Sequence, residues 1–363
     1  MNSTESEYLI EQFTIEKENF DELAKLITQA FLSDETAIQE GASVAFSEET
    51  FNMMYGAPSI DKDLFIRAIH KPTGQIVGFL GGIPRKLSIL GKIYKFAIPS
   101  WLSVHSQHQR KGLAKAMGNE LFVIGKKLGY DGGFSFHEPQ QHGIDVSSAV
   151  ARDMKIPFHR VVKLTKFVIK SFNVNEVSKV VRLRWYEKIV FKMFQKYKKI
   201  DSNRIRKYQE KDIKDMFEII QEQVSRNELS IVPELEDLKW TLSNPGVNCV
   251  VHEDANGKVK GFMLAWEFIL AGMGNKLPFG WLDMVHIHRL TTKEAGDLAN
   301  YLCQISEELG WGGLQTPYIP YFDMKPLKKA RFFFFDKKIN LDLFNMNNVP
   351  IPEEIKTVYF DWR

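Results

Sequence analysis

Residues 101–114 read W-L-S-V-H-S-Q-H-Q-R-K-G-L-A, an apolar segment followed by a polar, basic one. Its apolar start predicts a strand that ends near Val104, and a helix is predicted from Gly112 after a polar loop. The first turn of a helix has unpaired N–H groups, and the helix dipole favours negative charge there. Gly112 lets a ligand approach the backbone, and Arg110 and Lys111 add positive charge. The stretch therefore indicates a diphosphate-binding loop, with a plain strand–turn–helix carrying solvated charges as the alternative.

The elements around this stretch predict an α/β (α+β) fold whose strands are mostly antiparallel. Turns at 71–74 and at Gly91 join neighbouring strands into hairpins. Strands are predicted at 64–69, 75–80, 86–90, 93–98, 100–104, 134–136 and 161–169, and helices at 20–31, 112–128 and 144–154.

Two halves of the chain resemble each other. The stretch G-Q-I-V-G-F at 74–79 is echoed by G-K-V-K-G-F at 257–262, and K-L-G-Y-D-G-G at 127–133 by E-L-G-W-G-G at 308–313. Because matches in one order at nearly one offset are improbable by chance, we interpret the chain as two copies of one αβ unit. The predicted domains are 1–172, a basic linker helix over 173–203, and 204–363.

Composition excludes several classes of protein. With 44% hydrophobic and 26% charged residues among 363, the chain is globular. Its apolar runs are too short to span a bilayer, and its polar N-terminus is no secretory signal. Two cysteines are too few for a disulfide framework. A net charge of only +3 argues against nucleic acid as a partner. We expect a cytoplasmic protein, either a monomer or a homodimer.

The segment from 177 to 207 is strongly basic. It holds eleven Lys or Arg residues against Glu187 and Asp201, with Trp185, Ile189 and Met193 at helical spacing. A basic amphipathic helix can lie on an anionic membrane. The interpretation we favour is a linker helix packed on one domain with its basic face in water.

The loop resembles a known family signature. Q-R-K-G-L-A at 109–114 resembles the Q/R-x-x-G-x-G/A motif of the GNAT superfamily of acyl-CoA-dependent N-acyltransferases, and L-S-V at 102–104 resembles the central strand before it. The resemblance implies two tandem, mostly antiparallel, twisted sheets flanked by helices. It also implies that acyl-CoA is the co-substrate and that an amine attacks the thioester directly, with no metal. The CoA-binding residues would be Trp101, Leu102, Ser103, Val104, Gln109, Arg110, Lys111, Gly112, Leu113 and Ala114.

Within this superfamily the chain is similar to N-myristoyltransferases, which are also tandem repeats. The similarity lies in V-G-F-L-G-G-I-P at 77–84, in L-S-V-H at 102–105 and in Y-F-D-W-R at 359–363. It implies an oxyanion hole formed by the backbone amides of Trp101 and Leu102. We expect no N-terminal arm over a lipid and no C-terminal carboxylate acting as base, because the sequence begins near the first strand and stops at Arg363.

Acetyl or another short acyl group is therefore the expected donor. A long-chain N-acyltransferase of the N-myristoyltransferase type, or a non-catalytic module that senses CoA or acts at a membrane surface, remain the alternatives. The acceptor amine belongs to a small molecule, a peptide or a protein.

The general base is expected just after the strand at 134–136. Many GNAT enzymes use a tyrosine as general acid on the following helix, but residues 146–154 contain none. Glu138 is our candidate for the base, with His137 beside it, and the alternative is that both only pin the following loop. His142 and Asp145 are weaker candidates.

The second copy lacks the CoA motif, so we expect it to shape the acceptor cleft instead. Its acceptor-side candidates are Asp283, His286, Tyr318 and Tyr321. His286 and His288 would share one face of a strand and could bind a metal. A structural or acceptor-binding pair is the interpretation we favour.

Overall fold

The computed structural model describes residues 7–139 and 142–362. It divides into two compact units, each built from separate stretches of the chain. The first unit comprises residues up to 35, 45–164 and 338–356, and the second comprises 36–44, 165–337 and the residues from 357 onward. The domain boundaries predicted from the sequence, 1–172, 173–203 and 204–363, follow the internal repeat and remain a prediction.

The first unit contains helices on a sheet of six strands. Its elements, some of which continue into the second unit, are β1 (Tyr8–Gln12), α1 (Phe20–Leu32), α2 (Glu35–Glu40), β2 (Ser43–Ala45), α3 (Glu48–Tyr55), β3 (Phe65–His70), β4 (Gln75–Ile89), β5 (Lys92–Val104), α4 (Leu113–Lys127), β6 (Gly132–His137), α5 (His142–Asp153) and β7 (Phe158–Ser171).

The remaining elements follow along the chain and lie mostly in the second unit. They are α6 (Val174–Val180), α7 (Trp185–Phe194), β8 (Ile205–Lys207), α8 (Ile213–Ser225), β9 (Leu229–Val232), α9 (Leu235–Ser243), β10 (Val247–Glu253), β11 (Val259–Gly272), β12 (Asn275–His286), α10 (Thr292–Glu308), β13 (Gly313–Pro317), α11 (Lys325–Lys329), β14 (Phe333–Asn345) and β15 (Val358–Tyr359).

The two units have the same strand order. In the first unit the order is β1-β3-β4-β5-β6-β14, and in the second it is β8-β10-β11-β12-β13-β7. In each, one parallel pair, β5–β6 or β12–β13, lies among antiparallel neighbours. The predicted fold class is confirmed. The strands predicted separately at 75–80 and 86–90 are one strand, β4, and those predicted at 93–98 and 100–104 are one strand, β5.

Helix α4 packs on the sheet of the first unit. Its apolar face, including Met117, Leu121 and Ile124, lies in one buried cluster with Ile66 and Leu80. The close packing favours glycine on β4, since a Cβ at Gly78 would lie 2.9 Å from the Cβ of Ala68 on β3 and 2.9 Å from the Met117 side chain. This packing fixes the direction in which the N-terminus of α4 points. No helix in the described part of the chain is long and apolar enough to cross a membrane.

Candidate active site

The N-terminus of α4 is open. Gly112 occupies the N-cap with φ +78°, and no described side chain accepts a hydrogen bond from the first turn. Arg110 also has a positive φ, +61°, so two residues of the loop, Arg110 and Gly112, adopt left-handed backbone. Successive N–H groups in such a turn can form a concave anion-binding nest. A Cβ at Gly112 would meet no described atom within 4 Å, so the approach to these amides is clear.

The positive charges of the loop are held in different ways. Arg110 is 90% exposed, with Glu35 as a distant partner at 3.5 Å. Lys111 donates to the Tyr8 hydroxyl at 2.8 Å, and this bond raises the pKa of Lys111. Both cations belong to the loop itself, and their positive charge favours a phosphate-bearing ligand there.

Three histidines line the base of the same loop, and sequence reasoning missed this cluster. The ring centroid of His108 lies 4.8 Å from that of His70 and 5.6 Å from that of His105. The Tyr8 hydroxyl lies 2.8 Å from Nδ1 of His108. Burial, followed by the neighbouring imidazoles and Lys111, lowers the pKa of His108. The H-x-x-H spacing at 105–108 was the available signal, but His70 comes from a different strand.

Strand β5 contains a bulge where the oxyanion hole is predicted. The register pairs Ser103 with Phe79 and Ser100 with Gly81, so Trp101 and Leu102 together stand opposite Leu80. Trp101 has φ +56°, a conformation that a tryptophan adopts only when its surroundings impose it. A bulge leaves backbone groups outside the ladder. The bulge therefore lies at the two residues, Trp101 and Leu102, whose amides are predicted to bind the oxyanion.

Aromatic side chains hold Trp101 in this conformation. Its ring lies 4.5 Å from that of Phe46, edge to face, and 5.6 Å from that of Phe31. The hydroxyl of Ser103 donates to the Trp101 carbonyl at 2.8 Å. The geometry of the bulge therefore depends on side chains that are remote in sequence.

Strands β5 and β6 separate beside the bulge. They pair only at Phe96 with Gly132 and at Ala97 with Gly133. Beyond these pairs, the edge of β5 from 98 to 104 has no neighbouring strand on that side among the described residues. An extended chain with amide groups can add to such an edge as a further strand. The open edge leads from the bulge to the loop before α4.

His137 and Glu138 lie at the end of β6, where the strands separate. The His137 side chain is buried and bonded at both nitrogens: Nδ1 lies 3.2 Å from the Asp342 carboxylate and Nε2 lies 3.0 Å from the Ser147 hydroxyl. Arg160 donates to the other oxygen of Asp342 at 3.1 Å. Glu138 is half-buried. The arrangement fixes the His137 backbone and with it the position of Glu138.

These features coincide with a family match. Residues 13–131 match the model of the acetyltransferase (GNAT) domain. Over these residues, about a third of the chain, the sequence is similar to a GNAT acetyltransferase domain. That match contains the bulge, the open edge of β5 and the loop before α4. No curated protein sequence matches the chain.

Solved structures extend the likeness to the whole chain. Two structures of Saccharomyces cerevisiae N-myristoyltransferase with bound myristoyl-CoA are 19% and 18% identical, with TM-scores of 0.73 and 0.75. The aligned regions cover 94% and 96% of this chain and 79% and 84% of the two N-myristoyltransferase chains. A third structure is a conserved Enterococcus faecalis V583 protein of unknown function, described as a probable N-acyltransferase. It is 12% identical with a TM-score of 0.51, and the alignment covers 94% of this chain and 73% of that protein. At these identities the likeness concerns the fold alone.

The second unit repeats the backbone features of the first but has a capped helix N-terminus. Its hairpin has a register shift that leaves Asp283 as the extra residue, and β12 pairs with β13 only at Gly280 and Trp281. The N-terminus of α10, however, is capped by its own side chains. The hydroxyl of Thr291 accepts the Glu294 N–H at 3.3 Å, and the Glu294 carboxylate accepts the Thr291 N–H at 2.8 Å. One N–H of the first turn is therefore already used, and the Glu294 carboxylate places negative charge where a phosphate would bind.

Three of the acceptor-side candidates form one buried network in the second unit. Asp283 accepts the N–H of Trp362, and the Tyr321 hydroxyl accepts the Val285 N–H at 2.9 Å. His286 stands 5.9 Å from the Tyr321 ring, and burial lowers its pKa to about 3. Tyr318 is separate and donates to the carbonyl of Phe322 at 2.9 Å. The side chains nearest the bulge of this unit are therefore buried and bonded within the unit itself.

His286 and His288 have different partners. Nε2 of His286 lies 3.3 Å from the Tyr359 hydroxyl, whereas Nε2 of His288 lies 3.0 Å from the Glu222 carboxylate. His288, together with Arg289, lowers the pKa of Glu222 to about 2. Within the described residues no group of three or more His, Cys, Asp or Glu side chains could hold a metal ion.

Proposed function

We propose that the protein transfers an acetyl or other short acyl group from acyl-CoA to an amine. One observation carries the proposal: the uncapped N-terminus of α4 stands at the end of an open strand edge that contains the Trp101–Leu102 bulge. The loop would bind the diphosphate, the β5 edge the pantetheine, and the bulge the thioester carbonyl.

The chemistry assigned to these groups is direct acyl transfer. The amine nitrogen attacks the thioester carbon, the new C–N bond forms, and the amides of Trp101 and Leu102 stabilise the negative oxygen. The C–S bond then breaks and CoA leaves as a thiolate, which takes up a proton. Glu138 accepts the proton that the amine loses, directly or through water. Its place at the end of β6, where β5 and β6 diverge, supports this role.

A long-chain donor is the second candidate, favoured by the layout shared with N-myristoyltransferases over most of the chain. The two are distinguished by thermal unfolding with a series of acyl-CoA esters of increasing chain length. A ligand at 100 times its Kd adds about 2.7 kcal/mol to the free energy of unfolding. A short-acyl enzyme gives the largest shift with acetyl-CoA or its near homologues.

Release of free CoA thiol in the presence of amines then measures transfer itself. Thiol release that depends on both acyl-CoA and amine supports the enzyme. Absence of a melting shift with every acyl-CoA contradicts both candidates, and a shift without thiol release across a broad amine panel favours a CoA-sensing module.

A further inference from the structure

Helix α7 exposes a stripe of large apolar side chains. The exposed fractions are 74% for Trp185, 51% for Ile189 and 65% for Met193, with Tyr186 beside them at 43%. Trp185, Ile189 and Met193 are four residues apart and therefore lie on one face of the helix. In the described part of the chain, no other large apolar side chain is as exposed as Trp185. The linker helix predicted from the sequence thus has its apolar stripe, as well as its basic residues, in water.

Positive charge surrounds the stripe. Lys188 and Lys192 are exposed, and each is three residues from a member of the stripe, so they flank it on the same side of the helix. Arg182, Arg184 and Lys196 extend the positive charge beyond the helix ends. The acidic residue of the helix, Glu187, uses its carboxylate to accept the Arg184 N–H at 2.6 Å.

The opposite side of the helix is anchored within its unit. Phe194 and Phe191 pack on Phe333, with ring centroids 5.3 and 6.0 Å away. The buried ammonium group of Lys170 donates to the carbonyls of Phe194 at 2.6 Å and Lys196 at 2.8 Å, which caps the C-terminus of the helix. The stripe is therefore displayed on a helix whose other face and end are held in place.

We propose that α7 docks the protein on the surface of an anionic lipid bilayer. Trp185, Ile189 and Met193 enter the interface between headgroups and acyl chains, and Lys188 and Lys192 lie against the lipid phosphates. The inference is independent of acyl transfer.

The mixture of side chains favours lipid over other partners. A nucleic acid would use the lysines but leave the apolar stripe in water, and an apolar protein groove would leave the lysines unmatched. A second copy of this chain would bring like charges together. An anionic bilayer offers negative charge directly beside apolar volume, which matches both features of the face.

Flotation of the full chain with vesicles tests the proposal. We expect binding to phosphatidylcholine vesicles that contain phosphatidylglycerol, weaker binding at high salt, and none to phosphatidylcholine alone. Lys188→Gln/Lys192→Gln should weaken binding about 30-fold. Ile189→Ser/Met193→Ser should weaken it by at least about tenfold. All four side chains are exposed, so the melting temperature of the variants should equal that of the unchanged protein.

Two matched controls make the same chemical changes elsewhere. Lys211→Gln/Lys214→Gln removes two exposed lysines of the same unit, and Leu90→Ser/Ile93→Ser removes two exposed apolar side chains of a hairpin tip. Both should bind vesicles like the unchanged protein.

Three results overturn the proposal. The first is absence of flotation with anionic vesicles, and the second is flotation that neither α7 variant reduces. The third is binding to heparin or to a second copy, measured by sedimentation, that the α7 variants abolish while vesicle binding is unchanged.

Discussion

Gly112 and Thr291 hold the same position, the N-cap of the long helix in their unit, but only Thr291 caps its helix. The hydroxyl of Thr291 accepts the Glu294 N–H, whereas Gly112 has no side chain and leaves the first turn of α4 open. Because a capped helix N-terminus has fewer free N–H groups, this difference supports the proposal that the first unit binds the phosphates of CoA.

Replacing Gly112 with valine should weaken CoA binding at least tenfold. A β-branched side chain at φ +78° is strained by about 1–2 kcal/mol and would stand over the amides of the loop. Gly129→Val is the matched control, because Gly129 has φ +76°, also has no described atom within 4 Å of its Cβ position, and follows the other end of the same helix. Chemical unfolding should show a similar loss of stability in both, and calorimetric titration should show weaker CoA binding for Gly112→Val only. Equal CoA affinity in the two variants would place the diphosphate elsewhere.

Removing the cap of the second unit should affect stability without affecting CoA. Thr291→Ala deletes the hydroxyl that accepts the Glu294 N–H, which lowers the free energy of unfolding by about 1 kcal/mol. Urea unfolding measures the loss, and titration should give one CoA per chain before and after the change. A second equivalent of CoA bound to the unchanged protein would contradict the assignment.

The loop and helix of the site were predictable because their signals are local. The apolar spacing along α4 and the glycine before it are contained in one stretch, and the helix observed at Leu113–Lys127 lies within the predicted range of 112–128. The internal repeat predicted two copies of one αβ unit, and the two units have the same strand order.

The remaining features depend on residues distant in sequence. The positive φ of Trp101 requires packing by Phe31 and Phe46, and no pattern within β5 indicates it. The partner of His137 is Asp342, about two hundred residues away, on the strand that β6 pairs with. Local periodicity can predict that a strand exists but not which distant strand it pairs with.

Glu138→Gln should lower kcat for acyl transfer about 10²–10⁴-fold, because the amide cannot accept the proton of the amine. The KM for acyl-CoA should be unchanged, and the acidic limb of the pH profile of kcat/KM should disappear. Glu120→Gln, which changes a half-exposed carboxylate of α4, is the control and should retain full activity. An unchanged pH profile in Glu138→Gln would remove Glu138 from the mechanism.

His137→Gln should act mainly on stability. The change leaves the buried carboxylate of Asp342 and the hydroxyl of Ser147 without their imidazole partner, at a cost of about 1–3 kcal/mol. Because His137 is a positioning residue, its replacement should lower kcat only modestly. The shape of the pH profile, which Glu138 determines, should be the same as in the unchanged protein. Steady-state kinetics across pH, beside urea unfolding, separates the roles, and a displaced profile would assign proton transfer to His137 itself.

The buried His286 should make the second unit sensitive to acid. Burial lowers its pKa to about 3, and an unfolded chain restores the ordinary value near 6.5. Between these values the unfolded state binds a proton that the folded state does not, so the stability contributed by neutral His286 is complete above pH 6.5. It falls by about 1.4 kcal/mol for each pH unit down to about pH 3. Urea unfolding between pH 7.5 and 4.5 should therefore show a shallower decline for His286→Gln than for the unchanged protein. His159→Gln removes an exposed imidazole and is the control, which should keep the pH dependence of the unchanged protein. If His286→Gln kept the same dependence, His286 would titrate alike in the folded and unfolded states.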